Sequence, residues 1–133
     1  MAGHENSGGT TRGRPNRRQE VGREGEDHAE SLLRSRGAVV LSRNWYCAVG
    51  ELDLVVLDSA GRLRFVEVRT RTSTGFGTPA ESVTGAKLRT LRQVARRWLA
   101  AHPSGWRQVC FDVVGVDLSD PDRPRLELFE DVM

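Results

Sequence analysis

With 133 residues, 38% of them hydrophobic and only two cysteines, the chain suits one domain that folds without a disulfide framework or a structural zinc. It shows no signal-peptide pattern and no apolar run of membrane-spanning length, so a cytoplasmic protein with reduced thiols is expected and a membrane partner is not. The net charge of +2 excludes little, but its distribution is uneven: ten Arg or Lys fall between Arg62 and Arg107 against Glu67 and Glu81, whereas Cys110 to Met133 carries seven acids against Arg123 and Arg125. A basic middle beside an acidic end predicts one positive surface suited to a polyanion.

Met1 to Arg23 has no apolar periodicity and is rich in Gly, Asn, Arg and Ser, which predicts a disordered basic tail ahead of a single α/β domain over 24–133. The tail arginines add at most nonspecific phosphate attraction, and a solubilising extension is the simpler reading. From Glu24 the pattern turns helical, with Ala29, Leu32 and Leu33 on the inner stripe and Gly37 as the stop. Glu26 projects along that stripe, so it either reaches a charged partner or sits at its wet edge; its place in the first turn also suits the helix dipole. None of His4, His28 and His102 has sequence neighbours that would make it a base or a ligand.

Gly37 to Tyr46 reads as a strand ending in an exposed turn, where Asn44, Trp45 and Tyr46 are expected to plug the core edge in preference to stacking on bases. Leu52 to Leu57 and Leu63 to Thr70 then form a hairpin around the polar loop Asp58 to Arg62. A five-residue loop without a bulge pairs Leu57 with Leu63, and the same register sets Asp53 opposite Glu67 and Glu51 opposite Arg69. Two facing carboxylates repel. A divalent cation would remove the conflict, since Mg²⁺ is typically held by one or two carboxylates while phosphate oxygens and waters fill its shell. A structural ion-pair cluster with Arg69 and Arg71 would remove it equally well, and the hairpin alone leaves both readings open.

Residues 72–82, TSTGFGTPAES, form a Gly, Ser and Thr loop able to bring backbone N–H groups to a phosphate or simply to lead into the next helix. Thr84 is the expected N-cap of a helix over Gly85 to Ala101, with Leu88, Leu91, Val94, Ala95, Trp98 and Leu99 on its apolar face. Arg89, Arg92 and Arg96 line one flank without the acids of an ion-pair ladder, which favours phosphate contact over a merely solvated face. Gln108 to Leu118 and Arg125 to Glu130 complete the strands, with Asp112 half-buried and structural. The order helix, strand, hairpin, helix, strand, strand predicts an α/β sandwich around a mixed sheet.

The segments GREGEDHAESLL, SRNW, GELDLVVL, FVEVRTR, FGTPAESVTGAK and FDVVGV, in this order from about Gly22 to Leu128, resemble the YraN-like family of small bacterial proteins, a branch of the PD-(D/E)xK nuclease superfamily. The resemblance implies a restriction endonuclease-like fold, a central mixed β-sheet flanked by helices. It also implies a Mg²⁺ (or Mn²⁺) site for phosphodiester hydrolysis of DNA, including branched or structured DNA. Carried over residue by residue, Asp53 and Glu67 become the metal ligands and Glu26 the assisting acid. Arg69 stands at the catalytic lysine position, where the sequence departs from the superfamily pattern. Guanidinium stays protonated, so Arg69 cannot act as a base, though it can stabilise charge on a phosphate. Lys87, the only lysine, is a candidate for supplying the missing ammonium from another element. Arg71, Lys87, Arg89, Arg92 and Arg96 are the expected nucleic-acid contacts, and paired cuts in a duplex would favour a two-fold dimer. The alternative is a non-catalytic nucleic-acid-binding module in which Arg69 has replaced the catalytic lysine.

Overall fold

The computed structural model describes residues 16–73 and 83–133. Its elements are α1 (Arg17–Ser35), β1 (Val39–Tyr46), β2 (Glu51–Leu57), β3 (Leu63–Arg71), α2 (Gly85–Ala101), β4 (Val109–Asp117) and β5 (Arg125–Phe129). The five strands form one sheet in the order β1-β2-β3-β4-β5. All neighbours pair antiparallel except β3 and β4, which are parallel because α2 carries the chain across between them. This is the restriction endonuclease-like arrangement expected from the sequence. Among the described residues no helix is long and apolar enough to cross a membrane.

Period-two alternation along the inner strands gives each helix its own core. Val55, Leu63 and Phe65 meet Leu91, Val94, Ala95 and Trp98 of α2, while Leu54, Val56, Val66, Val114 and Val116 meet Ala29 and Leu33 of α1. On the α2 side Phe65 stands edge-on to Trp98 with ring centroids 5.7 Å apart, and Trp98 Nε1 donates to Ser42 Oγ at 2.9 Å. The semi-buried role expected of Asp112 is a buried ion pair: its Oδ1 lies 3.0 Å from Nη1 of Arg64, whose Nε also binds Asp58 at 2.8 Å.

Helix α1 starts at Arg17, earlier than the expected Glu24, because Asn16 and Gln19 form a capping box that the tail reading overlooked. The expected tail boundary at residue 23 is therefore too late, and residues 1–15 lie outside the described residues. The helix ends as expected at Gly37 (φ 90°), where Gly37 N–H donates to Arg34 O and Ala38 N–H to Leu33 O. Gly25 lets α1 approach β3 closely, since a Cβ there would overlap the Thr70 hydroxyl and crowd its Cβ as well. Gly25→Ala is expected to destabilise by about 1–2 kcal/mol despite its better helix propensity, read from the urea midpoint.

The hairpin loop is the predicted one: Asp58 N–H bonds Arg62 O at 2.9 Å, and Leu57 pairs with Leu63. The predicted register does not continue to the acids. The β2–β3 ladder ends at Leu54 and Val66, so neither Asp53 and Glu67 nor Glu51 and Arg69 form rungs. The neighbouring β1–β2 pair shifts register between Val40 and Ser42 and leaves Asn44 out of its rungs. Arg43 and Leu54 are partners, as are Trp45 and Leu52, but the intervening Asn44 adopts a left-handed φ of 53°. Leu54 packs on the α1 side, whereas Leu52 and Trp45 pack on the α2 side, so alternation fails at Asn44 and Asp53 together. The distortion lets two carboxylates share a region without facing each other across a regular rung.

Candidate active site

Asp53 and Glu67 are 8% and 4% exposed, at the place where β2 and β3 part. Val68 N–H, released from the regular ladder, donates instead to Asp53 Oδ2 at 2.8 Å and fixes that carboxylate. Burial raises the Asp53 pKa to about 8, with the charge of Glu67 acting in the same direction and the Val68 hydrogen bond against it. A buried acid held this far above its ordinary value favours either a proton or a cation beside it.

Two further acids lie near enough for charge to couple them to the pair: Glu26 raises the Asp53 pKa, and Asp53 raises that of Glu51. Glu26, on α1, reaches partners as the sequence allowed: its Oε1 accepts from Asn44 Nδ2 at 3.1 Å and lies 3.5 Å from Arg43 Nη2. Arg43 is itself spread over Asp27 and Glu30, at 2.8 and 3.0 Å. Burial raises the Glu26 pKa, Asn44 and Arg43 pull it down, and Glu51 pushes it up. Glu51, which the sequence reading left out of the site, is raised by burial and then by the charge of Asp53, with Lys87 opposing.

The cations come from two elements. Arg69 Nε lies 3.3 Å from Glu67 Oε2, yet this buried nitrogen has no aligned acceptor among the described residues. Lys87 Nζ lies 3.8 Å from the same carboxylate oxygen. Thr84 caps α2 as expected, accepting from Lys87 N–H at 3.2 Å, and so sets the first turn of the helix over the acids. The sheet strand and the helix together thus supply the two positive charges beside Glu67.

Of the expected nucleic-acid contacts, Lys87 is at the site and Arg71 lies beyond Arg69 on β3, where its Nη2 meets Asp117 Oδ2 at 3.0 Å. Arg89, Arg92 and Arg96 are exposed, and at about 100° per residue they sit near half a turn round α2 from Lys87. The structure does not bring that stripe to the carboxylates. The aromatic cluster divides: Trp45 is core, whereas Tyr46 is 53% exposed, and burial together with the charges of Glu51, Glu26 and Asp53 raises its pKa. Asn44 was legible in retrospect, because asparagine is among the few non-glycine residues that tolerate a left-handed backbone. The Gly-rich loop expected to approach phosphate lies, from 74 to 82, outside the described residues.

Among the described residues no group of three Asp, Glu, His or Cys side chains converges as a complete metal cage. The buried carboxylates of Asp53 and Glu67 are hard oxygen donors, the type that suits a dication retaining waters and taking substrate phosphate oxygens.

The family model described as "Uncharacterised protein family UPF0102" matches residues 25–116. The chain belongs to the UPF0102 family. A Nocardia farcinica UPF0102 protein is 44% identical over 110 residues, covering 83% of this chain and 86% of that relative. A Frankia alni UPF0102 protein is 51% identical over 94 residues, covering 71% and 78% of the two chains. One from Mycobacterium marinum is 42% identical over 110 residues, covering 82% and 90%. The UPF0102 match takes in Glu26, Glu51, Asp53, Glu67, Arg69 and Lys87, so the whole carboxylate cluster lies within the family region.

Proposed function

We propose that this protein is a metal-dependent phosphodiesterase acting on DNA, branched or structured DNA included. The observation that carries the reading is the buried pair Asp53 and Glu67, where the strands part, with Lys87 and Arg69 close to Glu67. Asp53 and Glu67 would hold a hard dication such as Mg²⁺ or Mn²⁺, which would supply water activation and stabilisation of a leaving oxygen. The chain's own groups provide the rest. Val68 N–H orients Asp53, and Asn44 and Arg43 hold Glu26 toward the cluster. Arg69 offers a permanent charge to an oxyanion, and the Lys87 ammonium, 3.8 Å from Glu67 Oε2, would stand in for the lysine that residue 69 lacks.

The second reading, a nucleic-acid-binding module without catalysis, is favoured by the same two cations: beside Glu67 they can take the place of a metal. It requires salt-sensitive binding that metal leaves unchanged. Calorimetric titration of Mn²⁺ and Mg²⁺ into the full chain, alone and with DNA, separates the two. The expected result is binding that disappears in Asp53→Asn and Glu67→Gln, together with metal-dependent cleavage in a screen of branched, single-stranded and duplex DNA. No metal binding in either state would overturn the phosphodiesterase reading and leave the binding module.

A further inference from the structure

We propose that the cleft between α1 and the end of β3 is a phosphate-binding channel that leads a single nucleic-acid strand onto the carboxylates. The cleft holds about 490 Å³, within the size range of small-ligand sites, and Arg17, Arg18, Gly22, Glu26, Arg69 and Arg71 are among its lining residues. Among the described residues of its lining, Glu26 is the one carboxylate beside four guanidinium groups, of which Arg69 also lies 3.3 Å from Glu67 and Arg71 3.0 Å from Asp117. The cleft is therefore continuous with the site and opposite to it in charge.

Three observations suit a phosphodiester chain. Guanidinium forks match phosphate oxygens in pairs, and here they come from two separate elements spaced along a groove, as successive phosphates require. At the end nearest the acids the Arg69 side chain remains 35% exposed although its Nε is buried 3.3 Å from Glu67 Oε2, so the rest of its guanidinium can meet a phosphate. Arg71 is steadied by Asp117, which fixes a guanidinium at the other wall.

Gly22 lines the cleft from α1. A glycine inside a helix costs about 1 kcal/mol relative to alanine, and close packing often explains one, as it does at Gly25. At Gly22 a Cβ would meet nothing within 4 Å. No neighbour imposes the glycine; the space it leaves is the cleft. The hollow beyond Arg71, lined by Arg123 and Arg125 but also by Asp117 and Asp120, is mixed in charge and a poorer continuation for a polyanion.

This proposal builds on the phosphodiesterase reading by placing its substrate's backbone, and its test is made without metal so that the two can fail separately. Anisotropy of a labelled single-stranded oligonucleotide, measured in EDTA against the full chain, gives Kd and its salt dependence. Arg17→Ala/Arg18→Ala is expected to weaken binding about tenfold near physiological salt and to lower the logarithmic salt slope by about 1.4, the release expected from two phosphate contacts on a single strand. Arg97→Ala/Arg107→Ala removes the same charge from exposed positions outside the cleft and is expected to change Kd by less than about twofold. In the series Gly22→Ala to Gly22→Trp, binding should fall as the side chain grows while the melting temperature holds or rises. Absence of oligonucleotide binding in the wild type, equal losses in both arginine pairs, an unaffected Gly22→Trp, or full displacement by stoichiometric inorganic phosphate would each overturn the channel. Loss confined to the cleft variants in a protein that binds no metal would sink the phosphodiesterase reading and leave the channel standing.

Discussion

Replacing Asp53 with asparagine is expected to make the metal-free protein more stable while abolishing its metal binding. The Asp53 carboxyl has an ordinary value of 3.8 and is raised to about 8 in the fold, chiefly by burial and then by Glu67. Between these values the native state holds a proton that the unfolded state releases, so stability falls as pH rises from about 4 to 8. Asparagine keeps a carbonyl oxygen for Val68 N–H and removes the charge that burial opposes. Converting the whole shift would give about 5 kcal/mol at pH 8, and relaxation of the partly open site reduces this to an expected gain of about 2–4 kcal/mol. Urea unfolding in EDTA should show the gain shrinking steadily toward pH 4. At the proposed metal site Mn²⁺ should reverse the order at neutral pH, since a ligand bound by the wild type alone would stabilise only that protein. An Asp53→Asn protein less stable than wild type at pH 8, without metal, would mean that the acid is held by contacts worth more than its desolvation.

Much of this site was legible because it rests on local signals. The alternation of LDLVVL and LRFVEVRT fixed two strands, and the polar loop fixed their register from Leu57 and Leu63 as far as Leu54 and Val66, the residues next to Asp53 and Glu67. What alternation cannot express is its own failure. The parting of β2 from β3 and the reversal of faces at Asn44 depend on three strands acting together, and so do the Val68 hydrogen bond and the access of Glu26 to the cluster. Glu51 shares the hairpin face with these acids, but a pairwise register rule relates it to Arg69 and gives no weight to four acids together. The start of α1 was missed for a different reason: its first turn is almost wholly polar, and the capping box Asn16 to Gln19 carries the signal that hydrophobicity lacks. That error mattered, because it assigned Arg17 and Arg18 to a tail when they line a cleft beside the acids. The basic stripe of α2 shows the converse. Periodicity correctly places Arg89, Arg92 and Arg96 on one flank, but only the docking of Leu91, Val94 and Trp98 against the sheet decides that Lys87 faces the carboxylates.

Lys87→Ala is expected to lower metal-dependent cleavage by about 10²–10³-fold, the usual cost of removing one preorganised donor to developing charge. Its mechanism predicts a second, opposite effect. Lys87 Nζ and Arg69 Nε both lie within 4 Å of Glu67 Oε2, at 3.8 and 3.3 Å, and so compete with any cation for that oxygen. Removing the lysine should therefore leave Mn²⁺ affinity unchanged or raise it severalfold, while the rate at saturating metal falls. Lys87→Arg should recover part of the rate if a fixed charge suffices and none if a compact ammonium is required, because a guanidinium is planar, larger and permanently protonated. Single-turnover cleavage at saturating Mn²⁺, paired with calorimetry on the same variants, separates these effects. A Lys87→Ala rate equal to wild type would remove the lysine from the mechanism and leave Arg69 as the only cation beside Glu67 among the described residues. A fall in metal affinity that accounts for the whole loss would show instead that α2 serves to shape the carboxylate pair. The distinction bears on the proposed roles of the two cations: Lys87 reaches Glu67 on a long side chain anchored on α2, whereas Arg69 stands beside the same oxygen on β3.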